Sequence, residues 1–195
     1  MTLAEIKRTQ AKVGTKADGF WGPKSEAACR AYLRALMPSP HPFPRQSDVT
    51  SFYGPHGVKD GFTPPMTTIT LPFTVFYEGS PVTKLKAHRL CADSLLRVFE
   101  HLRVAFPKEA DRRAAGILTY DGIYNPRKMR GGSAWSMHSW AIAIDLDAGR
   151  NGNLQHWPAS AVMPIEVMEC FAREGWMSAG AFWARDAMHF QSTQP

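Results

Sequence analysis

The chain lacks several things. No apolar run approaches the roughly 20 residues needed to cross a bilayer. The opening Met1-Thr-Leu-Ala-Glu-Ile-Lys-Arg-Thr-Gln10 carries charge where a signal peptide would need an apolar block, so the expectation is synthesis in the cytoplasm without Sec-type export. Cysteine is scarce: Cys29, Cys91 and Cys170 are odd in number and widely spaced, which excludes a disulfide framework and a CxxC metal knuckle. Buried reduced thiols are the expectation for them. Charged residues make up 21% and hydrophobic residues 44% of the 195 positions, a balance that excludes a typical disordered chain and suits one domain with a small appendage. What remains is a formal net charge of +6, which points to an anionic partner.

Residues 1–36 read as a small helical unit. Leu3, Ile6, Gln10 and Val13 fall at helical spacing, and Gly14 follows as a stop. Asp18-Gly-Phe-Trp-Gly-Pro23 reads as a turn whose proline opens a second helix, with Ala28, Tyr32, Ala35 and Leu36 on one stripe. A unit under about 40 residues rarely buries enough surface to fold alone, so it is expected to lean on its neighbours. Residues 37–47 hold Pro38-Ser-Pro-His-Pro-Phe-Pro44, a semi-rigid extended linker and the clearest boundary in the chain. Residues 48–195 form the larger domain. Thr67–Leu71 and Phe73–Tyr77 read as strands, Pro81–Phe106 as a long helix, Ile117–Tyr120 and Ala141–Leu146 as strands, Pro164–Glu174 as a helix ended by Gly175, and Gly180–Gln191 as an apolar segment of strand character.

Three stretches place polar groups in apolar surroundings. In Ser136-Met-His-Ser-Trp-Ala-Ile-Ala-Ile-Asp-Leu-Asp147, alternation sends Ile142, Ile144 and Leu146 to one side. Ala141, Ala143 and Asp145 go to the other. A carboxylate above alanines has room over it and needs a partner. A metal could serve, and His138 can reach the same ion if it lies off the strand end. In Trp183-Ala-Arg-Asp-Ala-Met-His-Phe-Gln191, His189 sits in a strand-like run. Asp186, three residues earlier, can share its site only from before the strand or from a bend. Two imidazoles and a carboxylate suit zinc with an open position for water, whose pKa zinc lowers to about 7. A second carboxylate can then take the proton and pass it to a leaving amine. In Tyr124-Asn-Pro-Arg-Lys-Met-Arg130, a guanidinium could bind a substrate carboxylate or steady an oxyanion.

Plainer readings compete with these. A lone histidine in an apolar segment is usually a satisfied core residue, and His88 is expected to be one. His41, His56, His101 and His156 have no acid at telling spacing. Asp147 lies on the same face as Asp145 and is an alternative ligand. The Arg-Lys-Met-Arg run alone reads as a solvated loop, and Trp140, Trp176 and Trp183 as core.

Ser-x-His-x-x-x-x-Ala-x-Asp at 136–145, followed by Asp-x-Met-His-Phe at 186–190, resembles the zinc peptidases of the D-alanyl-D-alanine carboxypeptidase and L-alanyl-D-glutamate endopeptidase family, which includes many phage endolysins. Tyr124-Asn-Pro-Arg127, Gly175-Trp176 and Phe182-Trp183 are similar too, and the resemblance spans roughly residues 48–192. It implies an α+β fold, a small mostly antiparallel sheet flanked by helices, preceded here by the all-α unit. It implies one zinc ion on His138, Asp145 and His189, with Asp186 as general base where many relatives have glutamate. Arg127 would steady substrate or transition state, with Arg130 second. Ser136, Arg130 and Trp183 would help hold substrate. Many relatives carry glycine at the position of Ala141, where a positive φ would strain alanine. Relatives often carry glutamate where Gln191 stands, which removes a charge beside a ligand. The segment Asp18-Gly-Phe-Trp-Gly-Pro-Lys-Ser-Glu-Ala-Ala28, with Gln10, resembles small peptidoglycan-binding modules.

The implied protein is a monomeric phage endolysin that hydrolyses a stem-peptide bond in peptidoglycan, L-alanyl-D-glutamate by preference. It would be made in the host bacterial cytoplasm and released to the cell wall at lysis, without stable membrane insertion. D-alanyl-D-alanine trimming and a non-catalytic wall-binding protein are the alternatives. Nucleic-acid binding finds no basic-aromatic stripe, helix-turn-helix or zinc-finger spacing.

Overall fold

The computed structural model describes residues 1–194. It is an α+β protein with two small antiparallel sheets and flanking helices.

The first helices form where local signals put them. α1 (Leu3–Lys12) starts at a capping box in which Thr2 and Glu5 satisfy each other's backbone N–H groups. α2 (Pro23–Leu36) has proline in its first turn. Between them, the buried Gln10 amide fastens the turn. Its Oε1 accepts from Gly19 N at 2.8 Å, and its Nε2 donates to Phe20 O at 2.8 Å and Ser25 Oγ at 3.2 Å. The proline-rich segment, expected as an extended linker, runs as a series of bends and packs against the body of the protein. Phe43 is buried edge-on to Trp176, and Gln194 N donates to Pro44 O at 2.8 Å.

α3 (Val49–Tyr53) precedes a hairpin of β1 (Met66–Tyr77) and β2 (Ser80–His88). The two short strands expected at 67–77 are one long strand. Its register is interrupted between Thr70 and Val75, around Pro72, which has no N–H for the ladder. The long helix expected over 81–106 divides. Residues 80–88 form β2, with Leu85 and Ala87 buried and Lys84 and Lys86 exposed. The three-residue step from Leu85 to His88 imitates a helical stripe, but pairing with β1 decides the outcome. The helical stripe is real only in α4 (Ala92–Ala105), which buries Leu95, Phe99 and Leu102.

After α5 (Glu109–Ala114), the second sheet has the order β3–β4–β6–β5: β3 (Tyr120–Gly122), β4 (Ala143–Leu146), β6 (His189–Gln191) and β5 (Met177–Ser178). Every pairing in it is antiparallel. α6 (Ala148–Asn151) follows β4, and α7 (Ile165–Ala172) covers the sheet, with Phe171 stacked on Phe190 at 3.8 Å between centroids. The apolar 180–191 segment, expected to be strand-like, holds most of α8 (Ala179–Trp183), a bend, and then β6. The N-terminal helices dock on α7. Lys12 Nζ lies 3.1 Å from Glu166 and 2.7 Å from Glu169, Tyr32 Oη donates to Glu169 at 3.0 Å, and Trp21 meets Trp157 edge-on at 5.1 Å. Among the described residues, no helix is long and apolar enough to cross a membrane. The three cysteines are free and buried.

Candidate metal centre

Three chain segments deliver the site. Ser136 caps a short 3₁₀ turn, Met137–Trp140, its Oγ accepting from His138 N at 3.4 Å. The turn throws the His138 ring off the end of β4. Ala141 then takes a left-handed conformation (φ 57°) that redirects the chain into the strand, so this position does require the positive φ that glycine adopts most easily. On β4, Asp145 is the register partner of His189 on β6. Directly opposed residues of an antiparallel pair put their side chains on one face within reach of each other.

The donor atoms converge. His189 Nδ1 is 3.0 Å and His138 Nε2 3.2 Å from Asp145 Oδ1, and the two ring nitrogens are 3.2 Å apart. Tetrahedral zinc with bonds of about 2.0–2.1 Å separates its ligand atoms by about 3.3–3.4 Å. The triangle therefore has nearly the edge length that the ion requires. The outer hydrogen bonds agree. His138 Nδ1 is 2.8 Å from Ile123 O, and a carbonyl can only accept, so Nδ1 carries the proton and Nε2 its lone pair. His189 Nε2 is 3.1 Å from Gln191 Oε1. Gln191 Nε2 donates to Thr193 Oγ1, which turns the amide oxygen toward the imidazole and leaves the Nδ1 lone pair facing Asp145. Two lone pairs and a carboxylate aimed at one point call for a cation. Burial pushes Asp145 up, but when the imidazoles are protonated and not metal-bound, the hydrogen bonds and charge of His138 and His189 more than reverse this and hold it well below the usual carboxylate range. Burial pushes His189 down, and Asp145 and Asp186 more than offset it.

Asp186 solves its odd spacing by sitting before β6 in a left-handed bend (φ 60°), with Ala184 (φ 58°) just ahead of it. Its carbonyl accepts from His189 N at 2.9 Å. Its carboxylate Oδ1 is buried without a hydrogen-bond partner among the described residues. Burial pushes this carboxyl above its ordinary value; His189 pulls it down and Asp145 pushes it further up.

Residues 130–192 match the family model for D-alanyl-D-alanine carboxypeptidase. The matched stretch is about a third of the 195 residues, and it contains His138, Asp145, Asp186 and His189. No curated protein and no solved structure matches the chain. The match and the donor cluster together support a metallopeptidase.

The other expected site residues are distributed unevenly. Ser136, Arg130 and Trp183 lie inside the matched stretch, and Arg127 just outside it. Arg127 is moored beside His138 by its backbone: its N–H donates to Ser139 Oγ at 3.1 Å and its carbonyl accepts from Ser136 N at 3.0 Å. Its guanidinium donates to Lys128 O at 3.1 Å. Arg130 is exposed, and Trp183, at the end of α8, is 38% exposed. Asp147, the alternative ligand, is outside the metal-competent group. Its Oδ2 accepts from Arg150 Nε at 2.6 Å and from Asn151 Nδ2 at 3.2 Å. His88 is a buried core residue with Nε2 3.1 Å from Tyr53 O. Sequence reasoning missed the carbonyl of Ile123, because a backbone acceptor has no side-chain signal. It noticed Gln191 only as a departure from glutamate.

Proposed function

We propose that the protein is a zinc-dependent peptidoglycan peptidase that cuts the stem peptide between L-alanine and D-glutamate, serving as a lytic enzyme of phage type. The observation that carries the catalytic reading is Asp186, a carboxylate with a buried, unpartnered oxygen next to the His138–Asp145–His189 donor set. An orphaned buried acceptor is costly in a merely structural protein and useful in one that must take a proton. A zinc ion in this donor set would supply Lewis acidity and an acidified water. The chain's own groups supply the rest. Asp186, with its acidity reduced by burial, takes the proton and delivers it to the departing amine. Arg127, on the loop tied to the 3₁₀ turn, steadies the negative charge that develops on the carbonyl oxygen. Ser136, Arg130 and Trp183 flank the peptide. The N-terminal unit, with Phe20 exposed at its turn, holds the enzyme to the polymer. The +6 charge aids approach to an anionic wall and is screened by salt.

Trimming of terminal D-alanine is the second reading, favoured by the description of the matching family. Mass spectrometry of muropeptides digested by the pure protein tests both. Release of L-alanine-terminated glycan fragments supports the first, and loss of a single D-alanine supports the second. Product formation that persists in full after chelation of zinc would overturn the metallopeptidase reading itself.

A further inference from the structure

A groove of about 380 Å³ lies between the β1–β2 hairpin and the β3 strand with its following loop. That volume is in the range of a small-ligand site. Tyr77 and Tyr120 stand at 5.7 Å between ring centroids and form one wall. Tyr124 forms another, its ring and phenol oxygen set in space that a Cβ at Gly57 would need. Val82, Lys84 and Lys86 alternate along β2 and so present one face, and all three line the groove. None of the lining residues is acidic. Among the described residues, neither lysine makes an ion pair.

The groove adjoins the metal centre through the backbone of β3 and the loop that follows it. Gly122, in its lining, is the register partner of Asp145, and the carbonyl of Ile123, also in the lining, is the acceptor for His138 Nδ1.

We infer that this groove takes the carboxylate-bearing part of the peptide substrate, with Lys84 and Lys86 as specificity-determining cations and the three tyrosines as walls. The inference rests on the stem-peptide reading of the adjacent site. A lysine ammonium in partly apolar surroundings gives a carboxylate a charge-assisted contact, and the aromatic faces cover the intervening backbone and methyl groups. The competing role for lysines on an outer strand is to prevent pairing with another chain, and it makes no demand on substrate.

The test is steady-state kinetics of the Lys84→Gln/Lys86→Gln double variant in the full chain, with a stem peptide bearing free side-chain carboxylates and its amidated counterpart. For the free peptide, KM is expected to rise about tenfold with kcat unchanged, because uniform binding is lost. For the amidated peptide, KM should stay the same. An unchanged KM for the free peptide, or an equal rise for both, would overturn the inference. If the wild-type protein cleaves neither peptide, the function reading fails and binding decides the groove separately. NMR titration with the free peptide should then move the Tyr77, Tyr120 and lysine side-chain signals. No movement would overturn the inference, as would competition by polyphosphate as strong as by the peptide.

Discussion

The N-terminal helical unit and the β3–β4–β6 region are built on opposite terms. Residues 1–36 begin and end their helices by local rules: a capping box at Thr2 and Glu5, Gly14 at φ 81°, and proline opening α2. The unit buries few apolar side chains, among them Val13, Cys29 and Leu33. These pack into the core shared with α7, and polar contacts add to the docking, with Glu169 accepting from both Lys12 and Tyr32. The metal region inverts this. Its strands are only three or four residues long, too short to form alone, and its turn leaves through an alanine in a glycine conformation. There, non-local pairing and dense burial override poor local signals. The lesson concerns consequence: a polar contact in the buried region governs what the molecule can do, whereas one at the docking face adds only to stability.

Substitutions can break that contrast. The largest effect is expected for Asp186→Asn, which keeps the shape but not the base. The cleavage rate should fall by about 10²–10⁴-fold, while bound zinc, measured by elemental analysis, stays at the wild-type ratio. A variant that loses its metal instead would make Asp186 a ligand. Next, Gln191→Ala frees the outer nitrogen of His189. Zinc affinity measured by chelator competition should drop by about 10–100-fold, and Gln191→Glu should retain or strengthen it.

At the docking face the expected scale is smaller. Glu169→Gln should lower stability by about 1 kcal/mol, read from the denaturation midpoint, with cleavage of soluble peptide unaltered. A loss of activity comparable to that of Gln191→Ala would erase the distinction between the regions. The pH dependence of the contact has a definite sign. Burial pushes Lys12 down, but Glu169 and Glu166 more than offset it, so its pKa is raised above the ordinary 10.5. Its contribution is therefore complete below pH 10.5 and disappears as pH climbs through the raised value. Wild type and Lys12→Met should differ in stability by a constant amount between about pH 6 and 9, and converge only in strong alkali. The smallest effect is expected for Ala141→Gly. Relief of the left-handed strain is worth about 1–2 kcal/mol, and loss of a fully buried methyl costs about 0.8 kcal/mol, to which glycine adds backbone entropy of about 0.5–1 kcal/mol. The net change in stability should lie within about 1 kcal/mol of zero, which calorimetry of the two proteins will show.

Much of the site was legible because its residue types are distinctive. His138, Asp145 and His189 stood out as polar groups in apolar runs, and the odd spacing of Asp186 already required a bend, which exists at φ 60°. The choice between Asp145 and Asp147 was not legible, since both alternate onto one strand face. It is made by a left-handed Asp147 that turns away to Arg150 and Asn151 as β4 ends. The misreading of Pro81–His88 as helix has a similar origin. A spacing of three fits both periods, and only the partner strand distinguishes them.

The α+β class and the roles of the site residues came from the family resemblance; residue order itself supplied the helices of residues 1–36, the proline segment and His138, Asp145, Asp186 and His189 as candidates. The latter follow from composition and short-range pattern, which act through propensity, caps and chemical type. The tertiary structure alone decided that the proline segment lies against the body and that β4 and β6 pair in the register that opposes Asp145 to His189. It also decided that Ile123 and Gln191 orient the two imidazoles, and that the lysine-bearing groove borders the strand and loop beside them. Each of these depends on residues far apart in the chain meeting within a few ångströms. Such meetings are settled by which arrangement buries the most apolar surface while leaving the fewest polar groups unpaired.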